Sequence, residues 1–167
     1  MQSSKVGRII YYFLPLFIWG GVIVFASTQP YEQQDARPVV GSFDLSWVER
    51  WFSWVSFTYS ESIVSIETRG TAGFIEFFIR KGAHLVVFFV LAFLMYRFLR
   101  LFSLKTITRA TLTLGFIVIF AAVDEFRHLL HPNRTGLVED VVLDTIGGML
   151  GIALALFVYR KKLCSCR

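Results

Sequence analysis

The chain has 167 residues, 55% of them hydrophobic and 17% charged, with a mean hydropathy of +0.60. This excludes an ordinary soluble domain, in which about 25% of residues are charged, and the length fits one compact unit. The net charge of +5 makes no case for nucleic acid, because the basic residues flank apolar runs instead of massing on one face or arm.

Taken in chain order, four segments are each near the roughly 20 residues that a bilayer requires. The first covers about residues 9–27 (IIYYFLPLFIWGGVIVFAS). Lys5 and Arg8 precede it, and VFA is a conceivable signal-peptidase site. Its apolar core is longer than the roughly 7–15 residues of a signal peptide, so a retained anchor is expected. The next segment contains DLSWVERWFSWVSF, residues 44–57. There Ser46, Glu49, Arg50, Ser53 and Ser56 fall on one helical arc and Val48, Trp51, Phe52 and Val55 on the other. That period predicts an amphipathic helix. With Trp47 and Trp54 at its edges, the helix suits either the headgroup level of a membrane or packing over the bundle. ETRGTAG, residues 67–73, resets the chain before FIEFFIRK leads into the second span, about residues 82–99. The third span covers about 106–123 and the fourth about 141–159. The tail KKLCSCR holds both cysteines, Cys164 and Cys166; without a second pair they give no disulfide framework and a weak metal signal. There are no repeats and no separate soluble domain. The expected architecture is therefore all-α, a polytopic membrane protein of four transmembrane helices with an interfacial helix between the first two.

Charge sets the orientation. Lys5 and Arg8 at one terminus, Arg97, Arg100, Lys105 and Arg109 after the second span, and Arg160, Lys161, Lys162 and Arg167 in the tail have no acid among them. All 12 acidic residues lie between residues 28 and 81 or between 124 and 144. By the positive-inside rule both termini are expected in the cytoplasm, with 28–81 and 124–140 facing outward.

This topology gathers polar residues from three spans at one outer depth: Lys81 and His84, then Asp124, Glu125 and His128, then Asp140 and Asp144, with Arg127, His131 and Arg134 in the connection between the third and fourth spans. Asp124 and Glu125 stand four and three residues before His128, so its imidazole can lie near either carboxylate. Ionisable groups inside a span are costly unless paired or wet, which makes His84 and Asp144 functional candidates. Three chemistries compete. An acid–base site would use His84 or His128 with Glu125 or Asp124, since imidazole titrates near neutrality. A binding site would use Lys81 and Arg134 on an anionic group, with the acids orienting them. A metal site would need His84, His128 or His131 with a carboxylate. No H-x-x-x-H or H-E-x-x-H pair occurs, and the sequence assigns neither a metal nor a cofactor. A purely structural account is also open: Arg134 could clamp Asp140, and GGMLG, residues 147–151, has the small-xxx-small spacing of close helix packing.

RKGAHLVVFFVLAFLMY resembles the K-x-x-H-F motif of the VanZ-like membrane proteins, and DEFRHLLHPNRTGLVEDVVLDTIGGMLG resembles their D-E-x-x-Q…P-x-R-x-G…D-x-x-x-D/N-x-x-G motif. FASTQP at the end of the first span is similar to the family's S-x-Q exit. His128 stands where the family has glutamine, and Asn133 where glycine is common. The resemblance implies a small bacterial plasma-membrane protein with characteristic polar residues at Lys81, His84, Asp124, Glu125, Arg134, Asp140 and Asp144. It also implies a link to cell-envelope chemistry, since the name-giving member is associated with resistance to the glycopeptide teicoplanin. The expected partners are a membrane lipid, a lipid-linked cell-wall precursor or a glycopeptide. His84 and Glu125 are the catalytic candidates if the protein is an enzyme; Lys81, Asp124, Arg134, Asp140 and Asp144 are the binding candidates.

Overall fold

A computed structural model describes residues 5–30, 34–60, 62–129 and 138–164. Four helices are long and apolar enough to cross a membrane: α1 (Lys5–Thr28), α4 (Ile66–Leu99), α5 (Thr106–Leu129) and α6 (Val138–Cys164). Between α1 and α4 lie a single helical turn, α2 (Arg37–Val40), a short helix, α3 (Ser46–Phe52), and a hairpin of β1 (Ser56–Tyr59) and β2 (Ser62–Ser65). The protein is an all-α polytopic membrane protein with this small insertion.

The interfacial helix expected over residues 44–57 is shorter than its pattern implied. It ends at Phe52, and Ser53 caps its C-terminus by donating its N–H to the Glu49 carbonyl, 3.1 Å. The remainder enters the antiparallel hairpin, with Phe57 opposite Val64 and Tyr59 opposite Ser62. Two physical preferences compete here. The helical period extends through Ser56, but SFTY and SIVS are rich in aromatic and β-branched residues that fit a pleated surface better than a helix. Val48 of α3, Val64 of β2 and Phe74 of α4 form a small core of their own, leaving Trp47, Trp51 and Trp54 exposed.

α4 also starts earlier than expected. Ser65 caps it by accepting the Thr68 N–H at 3.1 Å. Gly70 then breaks the helix at φ 68°, ψ 164°, a conformation open to glycine because it lacks a Cβ. From Thr71 the helix runs unbroken to Leu99, about 43 Å at 1.5 Å per residue. That exceeds the roughly 30 Å hydrocarbon core. The excess turns carry Glu76, Arg80 and Lys81, together with the aromatic residues that meet the hairpin.

α4 and α6 share the largest interface, followed by α5 with α6 and α1 with α4. Their common core is Phe88, Leu91, Ala92 and Tyr96 of α4, Ile117 and Ala121 of α5, and Ile152 and Ala155 of α6, with Leu16 and Ile23 of α1. Large apolar side chains such as Phe17, Phe25, Ile119, Phe126 and Phe157 point outward, as helices whose solvent is lipid can allow. The α4–α6 seam is tight because Gly147 and Gly151 lie directly against the carbonyls of Leu85 and Phe89. Small residues one helical turn apart let two backbones approach, the usual route to close packing where no hydrophobic force acts between helices.

Candidate functional site

The C-terminal ends of α1 and α5, the N-terminal end of α6 and the middle of α4 meet at one end of the bundle, and there the polar residues converge. Lys81 of α4 grips Asp140 of α6 through both carboxylate oxygens, at 2.5 and 2.7 Å. Tyr59 of β1 donates its phenol O–H to the same carboxylate at 2.6 Å. The ammonium also lies over the Tyr59 ring, 4.5 Å from its centroid. Burial, reinforced by the hydrogen bond to Asp140, pushes the Tyr59 phenol above its ordinary range. Tyr59 is therefore a permanent donor to Asp140 near neutral pH.

One turn further in, His84 Nδ1 lies 3.3 Å from Asp144 Oδ1. Asp144 is fully buried, and among the described residues neither of its oxygens has a hydrogen-bond partner. Opposite, on α5, Asp124, Glu125 and His128 are all buried. Ser27 at the end of α1 donates its hydroxyl proton to Asp124 at 2.6 Å and meets His128 Nε2 at 3.1 Å. Because Ser27 has one proton and gives it to Asp124, His128 Nε2 is the donor in the second contact. His128 Nδ1 lies 3.3 Å from Glu125 Oε1, and the His84 and His128 rings meet edge to face at 6.3 Å. One donor atom each from His84, Glu125 and Asp144 fits within 4.8 Å of the others, and the same holds for Asp124, Glu125 and His128.

Beside this cluster is a cavity of about 620 Å³ between α1, the hairpin and α4. Trp19, Val22, Ile23, Val87 and Phe88 give it an apolar wall; Ser27, Tyr59, Lys81, His84, Asp124 and Asp140 give it a polar one. The Trp19 indole donates to the Val87 carbonyl at 3.0 Å, tying α1 to α4 along the apolar wall. Cations gather at its rim. Arg80 pairs with buried Glu76 at 3.0 Å. Arg69 reaches Ser62 Oγ at 2.7 Å and stacks over Phe77, 5.3 Å from the ring centroid, without a carboxylate partner among the described residues.

The sequence profile of the VanZ/LLP1 family matches residues 12–159. The chain belongs to the VanZ/LLP1 family. No curated protein and no solved structure matches it. In this VanZ/LLP1 member, six of the seven residues singled out by motif, Lys81, His84, Asp124, Glu125, Asp140 and Asp144, come together at one end of the bundle. The seventh, Arg134, lies outside the described residues, as does His131. Lys81 is held by Asp140 instead of standing ready for a ligand. The carboxylate in ion-pair contact with His84 is Asp144; Glu125 contacts His128. Two participants escaped the residue-by-residue reading of the sequence. Ser27 was visible only as the first letter of the S-x-Q exit. Tyr59 had a signal, the alternation in SFTYSESIVS, which a helical reading of the preceding stretch obscured.

Proposed function

We propose that this VanZ/LLP1 membrane protein binds an amphiphile of the cell envelope, with the acyl or prenyl chain against Trp19, Ile23, Val87 and Phe88 and an anionic headgroup at the polar wall. The observation that carries this reading is the division of one cavity into an apolar side facing α1 and a polar side facing the ionisable cluster. Its volume falls within the range of small-molecule sites, about 300–1,000 Å³. That suits a headgroup with the first part of its chain, from a phospholipid or a lipid-linked cell-wall precursor. Arg69 is the better anchor for phosphate because among the described residues its guanidinium has no carboxylate partner, whereas Lys81 serves Asp140. The site faces outward and both termini lie in the cytoplasm of a bacterial plasma-membrane protein, on the charge asymmetry of the loops. A link to glycopeptide resistance would follow from sequestering or presenting such a lipid.

Native mass spectrometry of the full chain with defined lipids tests this. A phosphate-headed lipid should be retained in preference to an uncharged diacyl lipid, and Arg69→Ala should reduce retention by about tenfold, the effect of losing a charge-assisted hydrogen bond. Equal retention of both lipids, or no effect of Arg69→Ala, would sink the reading.

A second reading is favoured by His84, which lines the cavity while contacting a buried carboxylate behind it. A base oriented by an acid is the arrangement of general acid–base catalysis. Turnover of a bound lipid that disappears in His84→Gln, with retention of the lipid unchanged, would select it. In a purely structural role, neither lipid retention nor turnover would respond to these substitutions, only stability.

A further inference from the structure

We propose that His84, Glu125 and Asp144 hold a divalent transition-metal ion, zinc or manganese, between α4, α5 and α6. The three residues come from three helices, and their donor atoms already lie within 4.8 Å of one another. Ligands bound at about 2.0–2.2 Å to one ion stand within such distances of each other. The second, independent observation is Asp144. Its side chain is fully excluded from solvent, its Oδ2 has no hydrogen-bond partner among the described residues, and its Oδ1 meets His84 Nδ1 at 3.3 Å without the geometry of a hydrogen bond. A buried carboxylate is expensive unless it is paired or coordinates a metal.

Among the described residues no lysine or arginine is paired with Asp144. Lys81 is committed to Asp140 through both oxygens, and Asp124 takes the Ser27 hydroxyl. Asp144 thus faces His84 alone among the described residues, while Glu125 also meets His128. One divalent cation would draw on an oxygen of each carboxylate and on the His84 imidazole nitrogen. A donor set of one nitrogen and two oxygens, with no thiolate, suits zinc or manganese. Asp124 and His128 are already tied to Ser27, so they form the outer layer, with His128 Nδ1 packed 3.3 Å from Glu125 Oε1. Three protein ligands leave a coordination position open. His84 borders the cavity, so that position is within reach of a bound anionic group.

The test uses the full chain purified in detergent, without added lipid, so its outcome is independent of lipid binding. Cys164→Ser and Cys166→Ser are present throughout, which removes the tail thiols as competing ligands. After chelator treatment, zinc or manganese is titrated and bound ion is measured by inductively coupled plasma mass spectrometry. About one ion per chain should be retained, and it should raise the unfolding temperature. Asp144→Asn and His84→Gln should each weaken binding by more than about 100-fold, and His128→Ala by about 10–100-fold. Metal-free Asp144→Asn should be at least as stable as the metal-free parent, because the amide removes an uncompensated buried charge. A parent that retains no ion overturns the proposal. So does retention that survives both Asp144→Asn and His84→Gln. So does a metal-free Asp144→Asn less stable than its parent, since Asp144 would then be serving a charged His84. If Asp144→Asn does not fold, that third result stands.

Discussion

The glycine seam between α4 and α6 invites a comparison within one helix bundle. A Cβ built on Gly147 or Gly151 falls well inside contact with the backbone carbonyl of Leu85 or Phe89, whereas one built on Gly115 of α5 meets nothing within 4 Å. Backbone cannot rotate away as a side chain can, so alanine at either seam position must push the helices apart. Overpacking of this kind costs about 1–3 kcal/mol, and the dispersion lost along a widened seam has no hydrophobic force to offset it in lipid. At about 2–4 °C per kcal/mol for a chain of this size, Gly151→Ala and Gly147→Ala should each lower the unfolding temperature in detergent by roughly 2–12 °C. The double variant should lose less than the sum, because the first Cβ already opens the space the second needs. Gly148→Ala is intermediate, since the atoms nearest its Cβ belong to the Ile117 side chain, at 2.6 Å, which can shift where backbone cannot. Gly115→Ala should be neutral or gain up to about 1 kcal/mol from helix propensity. A fluorescence-monitored thermal ramp on the four single variants and the double decides the matter. If Gly147→Ala and Gly151→Ala unfold with Gly115→Ala, the close approach of α4 and α6 is wrong.

Three further predictions concern the site and the topology. Asp140→Asn leaves Lys81 partly buried without its counter-charge and should cost about 2–4 kcal/mol in the same thermal assay; the double variant Lys81→Met, Asp140→Asn should recover more than half of that, and equal losses would deny the ion pair. The Tyr59 phenol, raised by burial and by its bond to Asp140, should not ionise with ordinary tyrosines near pH 10; since a raised folded-state value adds stability that is complete below about pH 10 and lost above it, the 295 nm absorbance of folded protein at pH 11 should be the same in wild type and Tyr59→Phe, and a drop of one tyrosinate in the variant would refute the contact. A reporter inserted in the 97–109 connection should read as cytoplasmic, and an external signal there would reverse the orientation of the site.

Much of the architecture was legible because bilayer thickness imposes a length on apolar runs, and because glycine spacing in GGMLG marks a packing face. The convergence of His84, Glu125 and Asp144 was also legible, once alternating spans were aligned by their loop charges. What failed was local and sits outside the apolar runs. Val48 and Val55 share a helical face in the sequence, yet only Val48 is helical in the structure. The chain turns instead into a hairpin whose Tyr59 is tied to Asp140, 81 positions away. Pattern reports which face is apolar, whereas a contact with a carboxylate 81 positions away lies beyond a window of ten residues. The pairing inside the cluster was likewise invisible: i, i+3 and i, i+4 spacing allowed His128 either acid, and Ser27 on another helix decided it by taking Asp124.

That division of partners also ranks the residues by what each is free to do. In a membrane interior an ionisable side chain is retained for its pairing or for its function. Asp140 is accounted for by Lys81 and Tyr59, Asp124 by Ser27, Glu76 by Arg80. Each of these acids has a protein donor at 3.0 Å or less, which is enough to explain its presence structurally. Asp144 has none among the described residues, and it is the most deeply buried of them. It also lies on the glycine-tight seam, three residues before Gly147, where α6 can shift least to relieve it. A carboxylate on this closely packed seam, facing a histidine that borders the cavity, is the position at which the structural explanation is weakest. An acquired ion or substrate group is therefore to be sought there first.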